Sequence, residues 1–197
     1  YWSFSEAGDG GAGTAVARGK LDGNGIADVQ VIFRQQPKVS GGNNHFGSRL
    51  VWARDGRLFV GLGDRFTRKD DAQTLDNHMG KVVRIEADGK VPPDNPFTQR
   101  SGAKAEIWSY GHRNIQGAAL HPASGELWTV EHGPQGGDEL NVPAAGANHG
   151  WPVITYGRNY GIGTKIGDGT ERADVAAPLR YWIPSIAPSG MAFLTSD

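Results

Sequence analysis

Apolar residues in this chain come in short runs bounded by glycine, proline, asparagine or aspartate, a spacing that predicts strands rather than helices. Such runs cover residues 1–5, 14–21, 29–33, 49–52, 58–62, 81–85, 107–110, 118–120 and 126–130. Turn-forming residues separate them: a glycine-rich stretch over 8–13, then Asp22-Gly23-Asn24-Gly25, Arg54-Asp55-Gly56-Arg57, Ala87-Asp88-Gly89 and Pro122-Ala123-Ser124-Gly125. The polar stretch 65–79 departs from the pattern, and a short helix is expected over 72–78. Residues 91–96 hold three prolines and read as extended backbone outside a ladder, because proline has no N–H to donate. Residues 22–28 carry acids and glycines, yet lack the length and closing glutamate of a calcium loop, so they read as a turn.

The runs repeat. Leu50-Val51 through Gly56-Arg57-Leu58 can be laid on Ala119-Leu120 through Gly125-Glu126-Leu127, and a further partial copy begins at Pro188-Ser189-Gly190-Met191-Ala192-Phe193. Repeated units of a few antiparallel strands with long loops indicate an all-β fold of the β-propeller type. A closed propeller has roughly four to eight blades, whereas this spacing gives about three units. Residues 1–197 are therefore expected to form a single partial β-propeller domain belonging to a longer chain.

Composition adjusts this picture in few places. The 30 glycines and 11 prolines lie between apolar runs without a low-complexity period, as many short strands with many turns require. Twenty basic and 21 acidic residues nearly cancel to a net charge of −1, and no Lys/Arg block tracks a phosphate backbone, which argues against nucleic acid as a partner. No apolar run approaches the roughly 20 residues of a membrane-spanning helix. The absence of cysteine removes disulfides, thiolate ligands and thiol nucleophiles together. Trp2, Trp52, Trp108 and Trp128 fall inside strand runs and are expected to pack.

Chemistry-bearing residues gather at strand ends. His45, delivered by Gly41-Gly42-Asn43-Asn44 just before a strand, suits a general base that reaches a substrate hydroxyl, although loop histidines also serve as plain surface groups. Arg113 and Asn114 place a planar cation beside an amide, a pair able to hold carboxylates or a developing oxyanion, or to make a strand-end ion pair. Glu131-His132-Gly133-Pro134-Gln135-Gly136-Gly137-Asp138-Glu139 combines acids with glycines that free carbonyls to turn outward. That composition suits an oxygen-ligated cation such as Ca²⁺ or, alternatively, a solvated acidic loop. Asn148, Trp151 and Tyr160 follow in a glycine-rich context that extends the same candidate site.

Taken together and in order, GGNNHFGSRL, GLGD, MGKVVRIEADGKVPPDNPF, EIWSYGHRNIQGAALHP, EHGPQGGDELN and NHGWPVITYGRNY closely resemble the soluble quinoprotein aldose (glucose/sorbosone-type) sugar dehydrogenases over nearly the whole chain. The resemblance implies a six-bladed propeller that uses pyrroloquinoline quinone (PQQ) with Ca²⁺, acts on aldose sugars, passes electrons to an external acceptor, and works in the periplasm or outside the cell. It assigns His45 as catalytic base, Arg113 and Asn114 as quinone contacts and Tyr160 as a further cofactor neighbour. It places cation-binding oxygens at Glu139 and the His149 backbone, with Gly133 and Pro134 as backbone candidates for the cofactor-associated ion. Where relatives carry tyrosine in the NYGW-like segment this chain has His149, a change that a backbone ligand survives and a side-chain role does not. The family pocket also uses basic residues from later blades, so the chain reads as the middle of the enzyme. Two rival readings use the same residues: a Ca²⁺-dependent propeller hydrolase of lactones or esters with His45 activating water, and a non-enzymatic propeller that binds a glycan or protein.

Overall fold

The computed structural model describes residues 1–195. It contains eleven strands in three antiparallel sheets, each a simple meander. The first sheet joins β1 (Trp2–Gly8), β2 (Gly11–Asp22) and β3 (Gly25–Arg34). The second runs β4 (Gly47–Trp52), β5 (Leu58–Leu62), β6 (Lys81–Ile85) and β7 (Ile107–Tyr110). The third runs β8 (Ile115–Leu120), β9 (Leu127–Glu131), β10 (Asp138–Asn141) and β11 (Arg180–Trp182). Asp22 pairs with Gly25 across the Gly23-Asn24 turn, so residues 22–28 form a hairpin as expected.

The core lies between sheets, which is why β5 and β6 are buried on both faces. Leu58, Val60, Leu62, Val83 and Ile85 meet Val16 and Phe33 of the first sheet. Phe59 and Val82, on the opposite pleat, meet Ile115 and Leu127 of the third. Gly61 lies against Ile115, where an added Cβ would sit 2.8 Å from its side chain. β4 and β8, the first strand of each four-stranded sheet, are neighbours in space. Residues just before these strands are thereby brought to one end of a shared seam. Trp108 packs edge-on against Phe59, Trp128 against His121 and Phe193, and Trp52, though 40% exposed, edge-on against Tyr1.

Three expectations need correction. The helix predicted over 72–78 is instead a 3₁₀ turn at Lys69–Gln73. Asn77 accounts for the early stop, because its amide donates to Asp71 O and Thr74 Oγ1 while its oxygen accepts from Met79 N, bonds that compete with helical ones. The acidic stretch 131–139 is a loop only over 132–137, since Glu131 ends β9 and Asp138-Glu139 begin β10. The partial repeat at 188–193 forms no strand among the described residues, although it lies on the third sheet with Gly190 against Gly117 and Phe193 on Trp128.

Candidate active site

His45 and Asp64 come together because β4 and β5 form a hairpin in which Gly47 pairs with Leu62. The residue two positions before one strand therefore faces the residue two positions after the other. His45 Nδ1 lies 2.6 Å from Asp64 Oδ1, and the imidazole side chain is only 12% exposed. Asp64 is buried and ionisable, and it accepts two further bonds: Phe66 N to Oδ1 at 2.8 Å and Trp151 Nε1 to Oδ2 at 2.7 Å. A carboxylate at Nδ1 fixes the imidazole tautomer and leaves Nε2 as the basic atom.

This geometry is held by strained backbone. His45, Arg65 and Phe66 have φ of 54°, 55° and 60°, in the left-handed region that side chains other than glycine seldom adopt. Gly63 permits the approach, since a Cβ there would sit 2.1 Å from His45 O and 3.0 Å from Asn114 Oδ1. Gly63→Ala is expected to destabilise the fold by about 1–3 kcal/mol through overpacking and to displace His45. Thermal unfolding together with a crystal structure of the variant checks this, and an unmoved His45 at wild-type stability refutes it.

The turn from β7 to β8 supplies the cation. Arg113 is 4% exposed, and its Nη1 donates to His132 O at 2.8 Å and Gly133 O at 2.6 Å. Its Nη2 reaches Tyr160 Oη at 3.3 Å, and the guanidinium lies 5.3 Å from the Trp151 ring centroid. No carboxylate pairs with Arg113 among the described residues. Its backbone closes the site, with Asp64 N donating to Arg113 O at 2.9 Å. Asn114 braces two strands: its Oδ1 accepts from Gly47 N and Gln116 Nε2. Tyr160 is 58% exposed and touches the site through its hydroxyl.

Behind Arg113 the acids form a packed polar network in which Glu131 and Asp138 are buried and Glu139 is half-buried. Glu131 accepts from Arg113 N at 2.6 Å, from Asn141 Nδ2 at 2.9 Å and from His112 Nδ1 at 2.9 Å. Burial alone would raise its pKa, but the His112 charge and hydrogen bond and the Arg113 N–H bring it below the usual value. Glu139, opposite Glu131 in the β9–β10 register, shares Asn141 Nδ2 at 3.1 Å. Burial, then the Glu131 and Asp138 charges, push its carboxyl up to about 8. His149 stacks on His112 at 4.5 Å, and burial followed by the His112 charge drives it down to about 3. Asp138 serves another purpose, since its Oδ2 collects Ser185 Oγ, Ile186 N and Ala187 N, each at 2.7 Å. Glu139 and His149 also line a cavity of about 500 Å³ with Ile154, Tyr156, Glu171 and Val175.

His45, Arg113, Asn114, Gly133 and Tyr160 thus meet along one seam, and Glu139 and His149 share the adjoining cavity. Asp64 and Trp151 complete the His45 environment.

Comparison with known proteins gives this arrangement a family. The family model described as Glucose / Sorbosone dehydrogenase matches residues 1–197. Aldose sugar dehydrogenase YliI of Escherichia coli (strain K12) is 52% identical over 202 residues, covering 100% of this chain and 54% of the relative. The crystal structure of the soluble aldose sugar dehydrogenase from Escherichia coli in the apo-form superposes with a TM-score of 0.94 at 50% identity, over 99% of this chain and 57% of that one. The PQQ-bound form of aldose sugar dehydrogenase from Streptomyces coelicolor gives a TM-score of 0.72 at 28% identity, over 96% of this chain and 51% of that one. The three sheets are blades of the same all-β propeller fold, and the chain spans about half the length of the curated relatives it matches. With the family model matched from end to end and the architecture shared, the chain belongs to the glucose/sorbosone dehydrogenase family.

Proposed function

We propose that these residues are a partial propeller domain of a longer quinoprotein that oxidises the C1 hydroxyl of aldose sugars to lactones, with PQQ and Ca²⁺ as cofactors. The observation that carries the reading is the buried Arg113 guanidinium, without a carboxylate partner among the described residues, next to the His45–Asp64 pair. A buried cation calls for an anionic or oxygen-rich ligand, and a tricarboxylated quinone is one. Arg113 would hold it, with Asn114 and Tyr160 beside it. PQQ, when bound, supplies the two-electron acceptor for hydride leaving C1. His45 Nε2 takes the hydroxyl proton as the C1–O bond becomes a carbonyl, and Asp64 stabilises the imidazolium that results. An external acceptor then collects the electrons.

The calcium assignment rests on donor chemistry. Glu139 is a carboxyl whose charged form is disfavoured by burial and then by the neighbouring acids, a cost that a bound cation removes. The His149 carbonyl accepts no backbone hydrogen bond among the described residues, which leaves it available beside Glu139. For the cofactor-associated ion, the Pro134 carbonyl is similarly available, while Gly133 O already accepts from Arg113. Ca²⁺ at about 100 times its Kd stabilises a folded protein by roughly 2.7 kcal/mol. Calcium added after chelation is therefore expected to raise the melting temperature of the full-length protein by a few degrees, and Glu139→Gln to abolish the rise. An undiminished rise in the variant removes Glu139 as a ligand. By the same family reading the protein works in the periplasm or outside the cell, and no helix among the described residues is long and apolar enough to cross a membrane.

The overall test is a PQQ titration of the full-length apoprotein followed by dye-coupled oxidation of aldoses, with lactone hydrolysis assayed in parallel. Saturable quinone binding with aldose turnover supports the reading. Lactone hydrolysis without quinone binding overturns it.

A further inference from the structure

Trp151 belongs to the segment after β10, yet its indole N–H ends on the acid that orients His45. The two oxygens of Asp64 are divided between partners. Oδ1 takes His45 Nδ1 at 2.6 Å and Phe66 N at 2.8 Å, while Oδ2 takes Trp151 Nε1 at 2.7 Å and no other donor among the described residues. The indole cannot follow a moving carboxylate, because it is tied on independent sides. Trp151 N donates to Gly111 O at 2.9 Å, its carbonyl accepts from Gln73 Nε2 at 2.7 Å, and its ring packs on Ala72 and Ile166. Two consequences follow from bonding chemistry. A fixed donor at Oδ2 sets the carboxylate plane and so the direction of Oδ1. It also withdraws electron density that Asp64 would otherwise offer to the imidazole.

We propose that Trp151 is a positioning residue, which sets the tautomer and the basicity of His45 through Asp64 and links the base to the Arg113 side of the site. The proposal rests on the reading of His45 as the base. The charged surroundings of the imidazole are few. Asp64 faces it directly, and Phe66 presents a neutral ring edge at 5.2 Å. Arg65 places its guanidinium 3.6 Å over the Phe46 ring and donates to Gly42 O, and its charge also acts on Asp64. Arg113, from the turn before β8, lies over the far partner, Trp151. Loss of the indole N–H leaves a more basic carboxylate opposite Nδ1, which favours the imidazolium. The sign is therefore fixed: the His45 titration moves to higher pH.

The test uses Trp151→Phe, which keeps an aromatic ring beneath Arg113 and removes the donor. In the full-length apoprotein the His45 imidazole C–H resonances should titrate about 0.5–1 pH unit higher than in the wild type, the range expected for loss of one hydrogen bond. In an Asp64→Asn background the same substitution should produce no shift. The acid limb of kcat/KM in the holoenzyme should move in the same direction with the KM for sugar retained. An unchanged His45 midpoint in Trp151→Phe overturns the proposal. Should that variant fail to fold, the wild-type indole 1H–15N resonance of Trp151 decides, since it must titrate with the His45 midpoint and a flat resonance overturns the proposal. A normal shift in a protein that oxidises no aldose supports the coupling and counts against His45 as the base, so the two failures are distinguishable.

Discussion

His45→Ala in the full-length protein is expected to lower kcat by about 10²- to 10⁴-fold, the usual contribution of a positioned general base. Affinity for the quinone should stay within about twofold, because on the proposed reading His45 acts on the substrate proton and its side chain bonds Asp64 rather than the Arg113 guanidinium. The ring is partly covered and is bonded through Nδ1, so alanine also frees Asp64 Oδ1, which keeps Phe66 N as a partner. The fold should therefore survive, and the loss should be kinetic. Stopped-flow single turnover with an aldose, beside a quinone titration, separates the two quantities. Turnover near the wild-type rate removes His45 as the base, and a parallel loss of quinone affinity makes it a cofactor contact instead.

The strands were legible where short runs are dominated by apolar or aromatic residues. Residues 58–62, 81–85 and 107–110 coincide with β5, β6 and β7, and the repeat relating Gly56-Arg57-Leu58 to Gly125-Glu126-Leu127 marks the second strand of each four-stranded sheet. β10 was not legible because Asp138, Glu139 and Asn141 are strand residues with a loop's composition. Glu139 and Asn141 pair with β9 and Asp138 with β11, while their side chains enter a polar network behind Arg113, an arrangement that hydropathy cannot register. β11 is only Arg180–Trp182 and carries no alternation to detect.

The candidate site was legible in its members more than in its wiring. His45, Arg113 and Asn114 stand out as polar groups at strand ends, but Asp64 looks like the residue that closes a strand. The missing signal was register: a β4–β5 hairpin pairing Gly47 with Leu62 puts His45 beside Asp64 without further assumption. Trp151 offered less, because its contact with Asp64 joins segments 87 positions apart.

Arg113→Ala is expected to weaken quinone binding by about 10- to 100-fold for each charge-assisted bond removed, taking roughly 1.5–3 kcal/mol per bond. The substitution has a second cost inside the protein. Nη1 satisfies His132 O and Gly133 O, so alanine leaves two carbonyls short of a partner and loosens the 132–137 loop that carries Pro134. Affinity and thermal stability should therefore fall together. Arg113→Lys separates the effects, since an ammonium keeps the charge without the planar fork that can serve two carbonyls and a ligand at once. Recovery of part of the affinity in the lysine variant assigns that part to charge, and the remainder to geometry. Fluorescence titration of the apoprotein with quinone, paired with calorimetric melting of each variant, provides both readings. Unchanged affinity in Arg113→Ala with a lowered melting temperature would reduce Arg113 to a brace for the loop and return the cofactor reading to the other residues of the seam.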